Sequence, residues 1–219
     1  MQYSTALSDA VLALACLASL FWLRPAFAGQ PVLRALLLGF GLTATAALCG
    51  AVRYGLDPSW IDKHRSFSQL SAALGLPLLG LAALALARGL VWGRSVWTVC
   101  LLVLVGLFIG ARVLGIDPGY RLALSLATLL LILYAGLSRW PQRLPGLAAL
   151  GVVSLFLVAG LAVGTEGFIG PLRRVDLFHA LLTPAYPLLA WLLLTLRAPA
   201  GEEIPVKTCL LYTSDAADE

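Results

Sequence analysis

Charged residues are scarce in this sequence. Asp, Glu, Lys and Arg make up 12% of its 219 residues, whereas hydrophobic residues make up 60%. Soluble domains carry about 25% charged residues, so the composition argues against a water-soluble fold. A bilayer solvates apolar surface directly and requires only that backbone polar groups bond within a helix. We therefore expect an all-α integral membrane protein whose main partner is the lipid bilayer.

The familiar catalytic sequence motifs are also missing. The chain has no GxxxxGK[ST] loop and no HExxH or GxSxG motif, so nucleotide hydrolysis and zinc proteolysis have no support. The net charge of +4 comes mainly from arginines in short loops. Such arginines are typical of membrane surfaces and do not indicate nucleic acid as a partner.

Histidine and cysteine are too few and too scattered for the common metal and disulfide frameworks. The only histidines, His64 and His179, cannot supply a three-histidine zinc site. Cys16, Cys49 and Cys100 lie in three different apolar runs without a CxxC spacing. We expect these cysteines to pack as small apolar residues, and no disulfide framework is predicted.

Long apolar runs dominate what remains. Each is close to the roughly 20 residues that span a hydrocarbon core. Short breaks rich in Pro, Gly and Arg separate them, so the sequence predicts one seven-helix transmembrane domain over 1–200 and no soluble domain. The runs cover residues 5–23, 33–52, 68–87, 95–115, 120–138, 146–164 and 176–196.

The loops on the two sides of the membrane differ in charge. Loops one, three and five carry arginine without acid, which favours the cytoplasmic side and places the N-terminus outside and the C-terminus inside. The loops on the other side mix acids with bases. The purely basic loops contain Arg24, Arg34, Arg88, Arg94, Arg139 and Arg143, and the acids of the other side are Asp57, Asp62, Asp117, Glu166 and Asp176.

The C-terminal segment differs from the rest of the chain. Residues 201–219 are polar, and 209–219 resemble the translation of a sequencing adapter. We expect 209–219 to be read-through from a fragment end, so that the natural C-terminus is missing and this segment contributes nothing to the fold.

Two glycine pairs have the four-residue spacing that lets helices approach closely. They are Gly106 with Gly110 and Gly160 with Gly164. We expect both pairs to pack inside the bundle.

A polar stripe marks the beginning of helix seven. Asp176 and His179 are three residues apart and Thr183 follows four residues later, so all three project from one helical face. Alternating topology brings further polar residues to the same side of the membrane. These are Arg53, His64, Arg112 and Glu166.

Two interpretations of this cluster remain open. In the structural one, Asp176 caps free N–H groups at the start of helix seven and an arginine pair holds it. In the functional one, the cluster lines a polar cavity that binds a lipid-like or small ligand, a metal or a proton. The sequence therefore predicts an integral membrane protein with a candidate ligand-binding cavity and does not identify its biochemical function.

The start of helix seven also resembles a known group of proteins. Arg174-Val175-Asp176-Leu177-Phe178-His179 followed by an apolar span resembles the last helix of a bacterial seven-helix family. That family is similar to the CREST superfamily, which includes the alkaline ceramidases and the progestin and adiponectin receptors. The resemblance implies a seven-helix fold and a bacterial plasma membrane.

The ceramidase-like pattern implies a metal-dependent amide or lipid hydrolase. In that pattern Ser and His end helix two, an Asp lies near helix three and two His begin helix seven. Here His179 matches the first helix-seven position, but the second is Thr183. The helix-two positions correspond to Cys49 and Arg53.

The resulting metal-ligand set is incomplete. The aspartate could only be Asp57 or Asp62, and a fixed charge on Arg53 opposes a bound cation. If a metal is bound at all, His179 and Asp176 are its candidate ligands. We therefore expect no cofactor. The incomplete ligand set argues against an enzyme without deciding the question, and a metal-dependent hydrolase with a degenerate zinc site is the alternative.

Overall fold

The chain folds almost entirely into helices. In the computed structural model, which describes residues 2–140 and 142–197, seven helices are long and apolar enough to cross a membrane. This confirms the all-α prediction of a multi-pass membrane protein. The tail expected over 201–219, including 209–219, lies outside the described residues. The helices are α1 Tyr3–Ala26, α2 Val32–Gly55, α3 Pro58–Ala87, α4 Arg94–Val113, α5 Asp117–Leu137, α6 Arg143–Val163 and α7 Arg174–Leu196.

Helix α3 begins about ten residues before its predicted apolar run. Asp57 caps it, because Oδ1 accepts the Ser59 N–H at 2.9 Å and Oδ2 accepts the Ser59 hydroxyl at 2.7 Å. The same bonds lower the pKa of Asp57. Pro58 at the first position suits a helix start. The polar segment Ile61–Leu70 lies mostly before the predicted run 68–87, because hydropathy alone marks only the apolar part of the helix.

Two helices contain π-helical segments. In α3 the segment is Ser71–Gly75, and in α6 it is Val158–Val163. Helix α6 ends at Gly164, whose φ of 69° is readily available only to glycine. Such π segments occur frequently at functional sites, and both border the cavity described below.

Six helices close a ring in the order α1, α2, α3, α5, α6, α7, and α4 packs outside it against α2, α3 and α5. The largest fully buried side chains lie toward the basic-loop face. Leu23 lies at the end of α1 and Phe27 directly follows that helix, Leu36 lies near the start of α2, and Leu193 and Leu196 lie at the end of α7. The tight core therefore occupies one half of the ring, and the other half can open into a cavity.

The glycine contacts differ from those predicted. A Cβ placed on the predicted residues would meet nothing within 4 Å, so the expectation that both pairs pack inside the bundle is wrong for Gly106, Gly110, Gly160 and Gly164. Side chains or backbone of neighbouring helices closely approach other glycines, which no four-residue spacing marks. These are Gly39, Gly50, Gly80 and Gly136.

Candidate functional site

A cavity of about 860 Å³ opens at the membrane face where α1 and α7 begin. Its walls come from α1, α2, α3, α5, α6 and α7. Tyr186, which lines it, lies about 18 Å along α7 from the first residue of that helix. A hydrocarbon core is about 30 Å thick, so polar groups extend deep into the bundle.

Four of the seven predicted site residues line this cavity: His179, Arg53, His64 and Glu166. The His64 Nδ1–H donates to the Ala46 carbonyl at 3.0 Å, which fixes the ring against α2. Glu166 is exposed at the rim, in the loop after α6. The structure thus brings residues of α2, α3 and α7 together, as alternating topology predicted.

The other three predicted residues lie outside the cavity lining. Arg112 is exposed and donates to Gln69 Oε1 at 2.9 Å. The Thr183 hydroxyl donates to the His179 carbonyl at 2.8 Å within α7. Asp176 Oδ1 is buried and has no hydrogen-bonding partner among the described residues.

Asp9 is the central residue that the sequence analysis missed. It lines the cavity, its side chain is 1% exposed, and its Oδ1 lies 3.3 Å from His179 Nδ1. The Ser8 hydroxyl lies 3.3 Å from the same nitrogen. An acid inside an apolar span is by itself a reason to expect function. That signal was available within the run 5–23 and would have identified Asp9.

Gly50 leaves room for Asp9 and His64 to approach α2. A Cβ at Gly50 would lie 2.7 Å from Asp9 Cγ and 2.9 Å from His64 Cε1, closer than real Cβ contacts. The bare backbone of α2 therefore separates a carboxylate of α1 from an imidazole of α3.

Three hydroxyl groups form the deepest polar part of the cavity. Thr43 Oγ1 lies 2.7 Å from Ser71 Oγ and 3.0 Å from Tyr186 Oη. Tyr186 is 4% exposed, so its hydroxyl depends on these partners. Ser71 is the first residue of the π segment in α3. Isolated Ser and Thr in apolar runs gave no sequence signal for this network.

We expect Thr43→Val to lower the free energy of unfolding by about 1 to 2 kcal/mol, because it removes a hydrogen-bonding partner of a buried hydroxyl. Thermal or SDS unfolding in mild micelles measures the change. Thr45→Val is the matched control, since Thr45 Oγ1 donates only to the Gly41 carbonyl of its own helix at 2.8 Å. Equal destabilisation by both substitutions would contradict a special role for the network.

Arginine is the main charged residue of the lining. Arg53, Arg65, Arg121 and Arg173 all contribute to it. Arg121 pairs with Asp117 at 3.0 Å. Within the part of the chain that the structure describes, no carboxylate lies within 4.0 Å of the other three guanidinium groups.

Two of these arginines rest on aromatic rings. The Arg53 guanidinium lies 4.6 Å from the Tyr54 ring centroid, and that of Arg173 lies 5.5 Å from the Phe168 centroid. The second contact belongs to a short hairpin in which Phe168–Ile169 pairs antiparallel with Leu172–Arg173. The rings orient the cations without neutralising them.

A family of unknown function, DUF6962, matches residues 4–198. The chain belongs to this family. No curated protein and no solved structure matches it. The DUF6962 match covers all seven helices almost completely and includes Asp9, Arg53 and His179.

The described residues of this cavity do not include a complete metal-ligand set. Among residues 2–140 and 142–197, no group of three His, Cys, Asp or Glu is arranged to hold a metal ion. His179 is close to Asp9, but Asp176 lies outside the cavity lining. The expectation that the protein binds no cofactor stays a prediction, as does the resemblance to the CREST superfamily.

Proposed function

We propose that the protein binds an anionic amphiphile, with the anionic group of the ligand against the arginines of the cavity. The observation that carries the proposal is the presence in the lining of Arg53, Arg65 and Arg173, for which no ion pair with a described carboxylate is found. Guanidinium groups bind phosphate and carboxylate in bidentate geometry. Arg53 and Arg173 are half-buried and Arg65 is exposed, so contacts to the first two are screened less by water than contacts at a fully exposed surface.

The apolar part of the lining supports an amphiphile over a fully hydrophilic ion. Leu12 and Leu182 lie about one helical turn below Asp9 and His179, and Phe156 contributes an aromatic face from α6. A volume of about 860 Å³ is within the range of about 300 to 1,000 Å³ typical of small-molecule sites. A ligand with one charged end and an apolar chain fits both kinds of wall.

The rival function is the zinc-dependent lipid or amide hydrolase implied by the CREST resemblance. No contact in the cavity specifically favours it. The guanidinium of Arg53 lines the same cavity as His179 and His64, and a fixed positive charge there opposes a second cation. An anion has no such obstacle, so ligand binding is the better supported function.

Binding of hexadecyl phosphate to the detergent-solubilised protein tests the proposal. We expect saturable binding, weakened at least tenfold in the double variant Arg53→Gln/Arg173→Gln. A charge-assisted hydrogen bond contributes about 1.5 to 3 kcal/mol, and tenfold corresponds to about 1.4 kcal/mol. Native mass spectrometry or calorimetry measures the affinity.

The double variant Arg24→Gln/Arg94→Gln is the matched control. Both residues are exposed on the membrane face opposite the cavity mouth, and neither lines the cavity. It removes the same charge, so we expect the affinity to stay within about twofold of the wild-type value. Equal losses in the two double variants, or no saturable binding to the wild type, would refute the proposal.

A further inference from the structure

We infer that the ligand also carries an amine, placed between its anionic end and its apolar chain, and that Asp9 accepts hydrogen bonds from the ammonium group. This inference rests on the proposed function and adds the chemical class of the ligand. It comes from the carboxylate of Asp9, which the arginine argument does not use.

The Asp9 carboxylate is deeply buried and poorly partnered. Its side chain is 1% exposed and lines the cavity, yet neither Oδ1 nor Oδ2 has a hydrogen-bonding partner of good geometry among the described residues. Burying a carboxylate without hydrogen bonds is strongly unfavourable. A donor on a bound ligand would therefore stabilise the charged form of this group, and the described part of the chain supplies no such donor.

The His179 imidazole is a poor donor to Asp9. His179 Nδ1 lies 3.3 Å from Asp9 Oδ1, which is long for a charge-assisted hydrogen bond, and it lies equally far from the Ser8 hydroxyl. Asp9 Oδ2 faces Gly50, a residue without a side chain. Within the described residues, no Lys or Arg nitrogen lies within 4.0 Å of either Asp9 oxygen.

The order of groups along the helices gives the order of groups in the ligand. Arg53 lies in the last turn of α2 and Arg173 directly precedes α7, so both cations are at the rim. Asp9 lies about 9 Å along α1 from its first residue. Leu12 follows one turn deeper. From rim to depth, the cavity presents cations, a carboxylate and then apolar side chains.

A ligand complementary to this order has an anionic end, then an ammonium group, then an apolar chain. Phosphate and carboxylate can each accept bidentate hydrogen bonds from the arginines at the rim. The test uses phosphate because hexadecyl phosphate, the probe of the proposed function, already carries it. The ammonium group of the ligand also pairs with the negative charge of Asp9. In the filled site, the arginines at the rim and Asp9 below them each face an opposite charge.

The deciding experiment compares 2-aminohexadecyl phosphate with hexadecyl phosphate on the wild-type protein in detergent. The two probes share the chain and the phosphate and differ in the amine. We expect the amine to increase affinity at least tenfold. Equal affinity for the two probes would overturn the inference and leave the proposed function intact, whereas no saturable binding of either would remove both.

Two further probes define where the amine must be and whether the chain matters. Lysophosphatidylethanolamine carries its amine beyond the phosphate, and we expect it to bind no better than hexadecyl phosphate. O-phosphoethanolamine has no chain, and we expect it to bind at least tenfold more weakly than 2-aminohexadecyl phosphate. Preference for either of these two probes would contradict the proposed order of groups.

The variant Asp9→Asn tests whether Asp9 causes the preference for the probe that carries an amine. It should lower the affinity for 2-aminohexadecyl phosphate about tenfold and change that for hexadecyl phosphate by less than threefold. Asp62→Asn is the matched control, because Asp62 is exposed on the same side of the membrane and does not line the cavity. If Asp9→Asn does not fold, the wild-type comparison of the two alkyl phosphates still decides the question.

Discussion

Gly136→Ala should lower the free energy of unfolding by about 3 kcal/mol, at the upper end of the roughly 1 to 3 kcal/mol that overpacking costs. Gly136 lies on α5 where the first turns of α6 cross it. A Cβ there would lie 2.6 Å from the Pro145 carbonyl oxygen and would also overlap the Ala149 side chain. The obstructing oxygen belongs to the backbone, so relief requires moving one helix away from the other. SDS titration of the purified protein in mild micelles measures the loss.

Gly106→Ala is the matched control and should have the opposite sign. Gly106 is in the interior of α4, and a Cβ there would meet nothing within 4 Å. Replacing glycine by alanine in such a helix is expected to gain about 0.5 to 1 kcal/mol, since the unfolded chain loses conformational freedom. If the two substitutions had equal effects, helix propensity and not the α5 and α6 contact would explain both.

The sequence alone was sufficient for the number and type of the spanning elements. Hydropathy over about 20 residues depends on composition and not on long-range contacts, so the seven runs were visible directly. The apolar run predicted for α3 began too late because the segment from Ile61 to Leu70 is amphipathic, and the cap at Asp57 is the signal that marks the first turn. Capping signals were available but less prominent than hydropathy.

Part of the candidate site was predictable from topology. Alternation of the helices placed Arg53, His64 and His179 on one side of the membrane, and the structure places all three around one cavity. Arg112 lies on the same side and its side chain donates to Gln69, a lining residue, but Arg112 itself does not line the cavity. Alternation of the helices predicts on which side of the membrane a residue lies. The rotation of each helix about its own axis decides whether the side chain faces the cavity.

The close contacts of the fold were not predictable in this way. Gly50 and Gly136 have no special spacing, and their roles depend on which helix crosses them and at what depth. The pair Gly106 and Gly110 has the favourable spacing but lies on α4, outside the ring. The four-residue spacing makes close packing possible, and only the arrangement of the other helices determines where it occurs.

Arg139 is a further residue whose role changes between sequence and structure. By charge it was one of several basic-loop arginines. In the structure its Nη2 donates to the Leu86 carbonyl at 3.0 Å and to the Leu196 carbonyl at 2.9 Å. These carbonyls lie in the last turns of α3 and α7, where the final C=O groups of a helix have no intrahelical partner. One guanidinium therefore connects two helix ends to the loop after α5.

Arg139→Ala should lower the free energy of unfolding by about 3 kcal/mol, because each of two charge-assisted hydrogen bonds contributes about 1.5 to 3 kcal/mol and the side chain is partly exposed. Arg139→Lys should lose less, since it keeps the charge but not the planar donor group. Unfolding in SDS measures both variants. Arg143→Ala is the control, because Arg143 is an exposed arginine at the start of α6. Equal losses for the two alanine variants would attribute the effect to loop charge and exclude the connection of α3 and α7 as its cause.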